Sequence, residues 1–182
     1  HPDDVAACLA VARIAAQREK LADSQRWLTK VVAERPDLLR AQAWLGRVLL
    51  RSGGPAACAA WEAALPANAD DSPDIWFVRG DVARQNDQLR AAVRCYGETV
   101  RREPNHLAAL YALARALRAA GQTQQAEPFL ERARGMEQLA NGARTYDIAG
   151  APSAIEQAAA TAQELGLAWE CWAWYEVLAS KR

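Results

Sequence analysis

A period of about 34 residues runs through the first three quarters of this chain and limits what it can fold into. The segment Asp74-Ile75-Trp76-Phe77-Val78-Arg79-Gly80-Asp81-Val82-Ala83 leads, after Asn86-Asp87-Gln88, into Ala91-Ala92-Val93-Arg94-Cys95-Tyr96 and then Arg102-Glu103-Pro104-Asn105. One period later, Leu110, Leu113, Ala114, Leu117, Gly121, Ala126, Leu130 and Ala133 hold the matching places. One period back, Trp44-Leu45-Gly46, Leu49, Gly53, Trp61 and Ala64 match, with the second helix displaced by one residue; a further step gives Cys8, Val11-Ala12, Ala15, Ser24, Leu28, Val31 and Pro36. Repeats therefore open near Val5, Leu39, Pro73 and Leu107 and cover about 5–38, 39–72, 73–106 and 107–140. Units of this length cannot bury their apolar faces alone, so the copies must stack.

Inside each unit the apolar residues fall at helical spacing, as in Val78 and Val82 or Leu110, Leu113 and Leu117, which gives each helix one buried stripe. Small residues recur where two helices must approach: Gly46, Gly80 and Ala114 in the first helix, Ala92 and Ala126 in the second. Asn86-Asp87, Gly121-Gln122 and Gly53-Gly54-Pro55 break the first helix, and Pro36 and Pro104 stop the second. Composition agrees with helix throughout, since Ala occurs 42 times against 10 Gly and 8 Pro. With 51% hydrophobic and 24% charged residues the chain is globular. No apolar run approaches the roughly 20 residues of a membrane-spanning helix, so no membrane insertion is expected.

An aromatic, then Leu-Gly, a small residue opening the second helix, an aromatic within it, Ala, and Pro at the exit together resemble the tetratricopeptide repeat. Pro73 to His106 fits best and departs only at Arg79, where the pattern has Leu before Gly80. The resemblance covers residues 1–138 and implies an all-α fold: a right-handed superhelical solenoid of antiparallel helix hairpins, its concave side lined by first helices. It also implies a non-enzymatic protein-interaction scaffold that holds a partner peptide in that groove. Some members grip acidic carboxy-terminal tails with Lys and Asn; the matching places here are Leu9, Arg13, Trp44, Asp74 and Val78, which lack that constellation.

The period fails near Asn141. The stretch 139–151 reads as an irregular insertion, and the phase returns only if a divergent hairpin, 152–182, opens near Pro152. Its second helix concentrates Trp169, Trp172, Trp174 and Tyr175. Either these rings cap the exposed flank of the preceding unit, or they form an interface that joins protomers into a homo-oligomer or docks a neighbouring domain. The same end faintly resembles repeat regions of larger bacterial multidomain proteins, where the domain would act as a regulatory arm.

On the concave side the register places Arg13 in the first unit, Trp44, Arg47 and Arg51 in the second, Phe77, Asp81 and Arg84 in the third, and Tyr111, Arg115 and Arg118 in the fourth. Guanidinium groups grip carboxylates in forked pairs and rings supply buried area beside them, so the expected ligand is a peptide bearing carboxylates. Basic and acidic residues balance at 22 each, which disfavours nucleic acid as a partner. No nucleophile elbow, dinucleotide turn or phosphate loop occurs, so catalysis is not expected. With two histidines and four scattered cysteines, neither a metal nor another cofactor is expected. His106 reads as a solvated turn residue and Asp70-Asp71 as a cap for the next helix. The thiols read as small buried groups, which favours a reducing compartment such as the cytoplasm. The opening from His1 to Val11 is unlike a signal peptide and suggests an excised domain.

Overall fold

In a computed structural model, which describes residues 4–149 and 152–179, the chain is helical with no strand among those residues. The helices are α1 (Val5–Gln17), α2 (Leu21–Glu34), α3 (Leu39–Ala63), α4 (Pro73–Gln85), α5 (Leu89–Arg102), α6 (Leu107–Ala119), α7 (Thr123–Ala149), α8 (Pro152–Glu164) and α9 (Ala168–Ala179). First helices open at Val5, Leu39, Pro73 and Leu107, the four positions that the sequence period marks. Second helices open at Leu21, Leu89, Thr123 and Ala168, each at the same offset from the start of its own first helix. α3 holds both helices of its unit and kinks at Gly54, so its second limb starts at Pro55, again at that offset.

The hairpins close on a matched pair of side chains. In the third unit a Cβ on Gly80 would lie 2.5 Å from the Tyr96 ring; in the second, a Cβ on Gly46 would lie 2.7 Å from Trp61. Neither ring can retreat, because the Trp61 indole N–H donates to the Gln42 carbonyl at 2.9 Å and the Tyr96 hydroxyl donates to Asp81 at 2.7 Å. In the outer units Ala12 shares a core with Leu28, and Ala114 with Leu130. Glycine thus goes with an aromatic and alanine with leucine, which keeps the helices in close contact. Trp61 stands one place before the position equivalent to Tyr96; that position is Glu62, which faces outward and pairs with Arg79 at 2.8 Å.

Local signals set the helix ends. Asp4 accepts from the Ala6 and Ala7 amides at the start of α1, and Ser72 accepts from Ile75 ahead of Pro73 at the start of α4. Asp70 and Asp71 therefore do not cap α4, contrary to the expectation from sequence. They form a short 3-10 turn, Ala69–Asp71, whose Asp70 carboxylate pairs with Arg79 at 2.6 Å and whose Asp70 carbonyl accepts from the Trp76 indole at 2.8 Å.

The expected irregular insertion at 139–151 is instead helix as far as Ala149; Gly150 and Ala151 lie outside the described residues. Gly and Asn each cost a helix interior about 1 kcal/mol or less, which a long helix absorbs, and no proline occurs between Pro128, near the start of α7, and Pro152. The next first helix, α8, begins at Pro152, whereas the period would have started it at Asn141. The inserted stretch is close to three whole turns, so α7 grows by about 16 Å with nearly the same exit direction. α8 still packs on α7, with Leu165 against Gly135.

Candidate functional site

Four of the residues expected in the groove form one stack on the face made by the first helices. The Arg13 guanidinium lies 5.5 Å from the Trp44 ring centre, and Arg47 lies 5.5 Å from the same ring and 5.2 Å from that of Phe77. Phe77 stacks in turn on His106 at 5.0 Å and touches the Tyr96 ring at 5.6 Å. Cation and ring thus alternate from α1 through α3 and α4 to the start of α6, each contact contributing about 0.5–1 kcal/mol where solvent reaches it.

Asp74 meets this stack at Arg47 and at His106. Asp74 accepts from Arg47 Nη2 at 3.2 Å, and its carboxylate lies 3.9 Å from His106 Nε2. His106 Nδ1 accepts the Ala109 amide at 3.1 Å and so caps α6. With Nδ1 accepting, the imidazole proton of the neutral ring belongs on Nε2, facing Asp74. His106 first, then Arg47, hold the Asp74 carboxyl below its ordinary range against the opposing effect of burial. His106 is therefore no solvated turn residue. The signal lay in its place directly before the start of α6, which Asp4 and Ser72 occupy in the first and third units and where a side-chain acceptor is useful.

The other groove arginines differ in what they face. Arg51 pairs with Glu19, Arg84 lies 3.7 Å from Asp81, and Arg118 pairs with Glu127 at 2.8 Å. Asp81 also receives the Tyr96 hydroxyl, and burial together with that bond pushes the phenol pKa up. Arg13 and Arg115 are exposed and make no ion pair among the described residues. Tyr111 packs at the edge of the core formed by α4 to α7, with Glu137 beside its hydroxyl raising the pKa.

Between the second limb of α3 and helices α4 and α5 lies a cavity of roughly 560 Å3, lined among others by Cys58, Trp61, Trp76, Arg79 and Cys95. Arg79 stacks on Trp76 at 4.8 Å and is neutralised by Glu62 and Asp70, so it fastens the linker before α4 and leaves no charge for a ligand. Burial pushes the Cys58 and Cys95 thiols up, away from the reactive thiolate. Among the described residues no cluster of His, Cys, Asp or Glu could hold a metal ion, and no helix is long and apolar enough to cross a membrane.

The aromatic α9 divides. Trp174 turns inward over a cavity of roughly 370 Å3 bounded by Met136, Leu139 and Leu167, whereas Trp169, Trp172 and Tyr175 are exposed, the two indoles meeting edge to face at 5.9 Å.

No family model and no curated protein matches the sequence. Solved structures do. A fragment described as MamA 41-end from Desulfovibrio magneticus RS-1 superposes with a TM-score of 0.57 at 16% identity, over 74% of this chain and 76% of that one. A crystal structure of MamA protein gives 0.56 at 14% identity, over 97% and 91%. The nearly identical TPR-like repeats of a putative kinesin light chain from Podosopora anserina give 0.53 at 22% identity, over 99% and 95%. Shared hairpins and shared stacking over 74–99% of this chain at such low identity identify the fold, a superhelix of helix hairpins of the tetratricopeptide type.

Proposed function

We propose that the chain is a non-enzymatic protein-interaction scaffold that takes an extended peptide along its first helices, and that carboxylates of this peptide meet Arg13 and Arg115. The observation that carries this reading is the uneven state of the groove arginines. Arg47, Arg51, Arg84 and Arg118 arrive with carboxylates of their own, while Arg13 and Arg115 stand exposed without one, at equivalent places in the first and fourth units. Between them runs the ring-and-guanidinium stack, which offers flat apolar area to a peptide. Three unit steps of about 10 Å separate the two charges, so an extended peptide of about nine residues spans them.

An array of twelve-residue peptides graded in carboxylate content tests this. Binding should favour acidic peptides, and Arg13→Glu or Arg115→Glu should weaken it by tenfold or more and flatten its salt dependence. Arg118→Glu, which removes an arginine already paired with Glu127, should change it much less. Indifference to carboxylates, or equal losses at all three positions, refutes the assignment.

A further inference from the structure

Where one unit meets the next, a second helix packs on the first helix that follows, and the stripe it covers recurs at fixed places. These are Ala41, Leu45 and Val48 in α3, Ala109, Leu113 and Ala116 in α6, and Ala154, Ala158 and Thr161 in α8, all of them buried. In α4 the same places hold Ile75, Arg79 and Val82. Ile75 is buried, but Arg79 and Val82 are covered only in part. Arg79 is also the one departure of its unit from the tetratricopeptide pattern, and its guanidinium is held by Glu62, Asp70 and the face of Trp76.

Across the junction a ring is missing as well. Trp27 and Phe129 hold one and the same place in the second helices of the first and fourth units, and in the third that place is Cys95. A thiol instead of a ring, with the small residues Cys58, Ala59 and Ala91 nearby, leaves open the cavity of roughly 560 Å3 between α3, α4 and α5. Small-molecule sites commonly enclose about 300–1,000 Å3. The cavity lies between successive second helices and not on the face of the first helices, so it is separate from the peptide groove.

Its charges are unevenly matched. Glu62 and Asp70 both pair with Arg79, at 2.8 and 2.6 Å. Arg94 lines the same cavity, is exposed at its mouth and makes no ion pair among the described residues. It lies beside Cys95: burial raises that thiol, and the Arg94 charge opposes the rise.

We propose that this cavity binds a small aromatic carboxylate, its ring seated against Cys95, Ala59 and Val82 and its carboxylate paired with Arg94. The ring takes up apolar space that a protein side chain leaves empty here, and a guanidinium grips a carboxylate through two parallel hydrogen bonds. A cationic ligand would meet Arg94 with like charge, and a neutral one would forgo the ion pair.

Isothermal titration of the full chain with phenylacetate and indole-3-acetate tests the proposal, with the two corresponding amides as neutral counterparts. At least one acid should bind with a Kd of about 1 mM or tighter, and its amide about fivefold or more weakly. Arg94→Gln should weaken the acid and leave the amide unchanged, so that the two bind alike. Cys95→Phe puts a ring of the protein where the ligand's would lie and should weaken the acid about tenfold or more. Ala59→Trp, at an exposed position on the opposite wall, should do the same and serves where Cys95→Phe folds poorly. Arg90→Gln, on α5 but outside the cavity lining, should bind as the parent does. No saturable binding by either acid, an amide that binds as well as its acid, or binding that survives in folded Cys95→Phe and Ala59→Trp variants overturns the proposal.

Discussion

Replacing Gly80 with Ala tests the hairpin contact on which the solenoid depends. The new methyl would lie 2.5 Å from the Tyr96 ring, closer than real Cβ contacts come, and the ring is buried and tied through its hydroxyl to Asp81. Overpacking of this kind costs about 1–3 kcal/mol. Alanine in place of a mid-helix glycine returns up to about 1 kcal/mol of helix propensity. Gly80→Ala should therefore destabilise by a net of about 1–2 kcal/mol, roughly 2–8 °C in melting temperature for a chain of this size. The first and fourth units place Leu where Tyr96 stands and Ala where Gly80 stands. Tyr96→Leu alone should cost about 2–3 kcal/mol through lost ring contacts and the Asp81 bond, while Gly80→Ala combined with Tyr96→Leu should cost at least about 1 kcal/mol less than the sum of the two. Thermal and urea unfolding of the four proteins measures the cycle, and amide exchange in α4 and α5 localises the loss to the third unit, since repeats touch only their neighbours. Strictly additive costs, or a Gly80→Ala protein as stable as the parent, would show that the close approach does not hold this hairpin.

Two further outcomes follow from single residues. Gly54 has φ 68° and ψ −167°, a region open in practice to glycine alone, so Gly54→Ala should lower stability by about 1–3 kcal/mol although no atom lies within 4 Å of the new methyl; a melting temperature at or above the parent's would contradict the strain. Asp74 titrates lower in the folded chain than unfolded, so its contribution is complete above the unfolded carboxyl range and disappears as pH falls through the folded value. Asp74→Asn should therefore be less stable than the parent near neutrality, and the difference should narrow below about pH 4; an unchanged gap down to about pH 2 would remove His106 and Arg47 as the cause.

Much of the fold is legible in the sequence because its determinants are local. Helix starts follow from apolar spacing and from stops such as Pro36 and Pro104, and the recurring small residues mark where helices touch. The segment 139–149 misleads, because Asn141 and Gly142 lower helix stability without ending a helix. The groove is partly legible: Arg13, Trp44, Arg47 and Phe77 share a face by register, and the structure places them in contact. Which groove arginines are paired is not legible, because the carboxylates that meet them come from other units or from second helices: Asp74 for Arg47, Glu19 for Arg51, Glu127 for Arg118.

Sequence alone, then, indicated the helical-repeat architecture and the starts of the first four hairpins, because period, helix propensity and proline stops act over a few turns of chain. Only the tertiary structure decided which guanidinium groups remain unpaired and that His106 caps and stacks. Those outcomes depend on distances between units, which helical spacing along the chain does not encode.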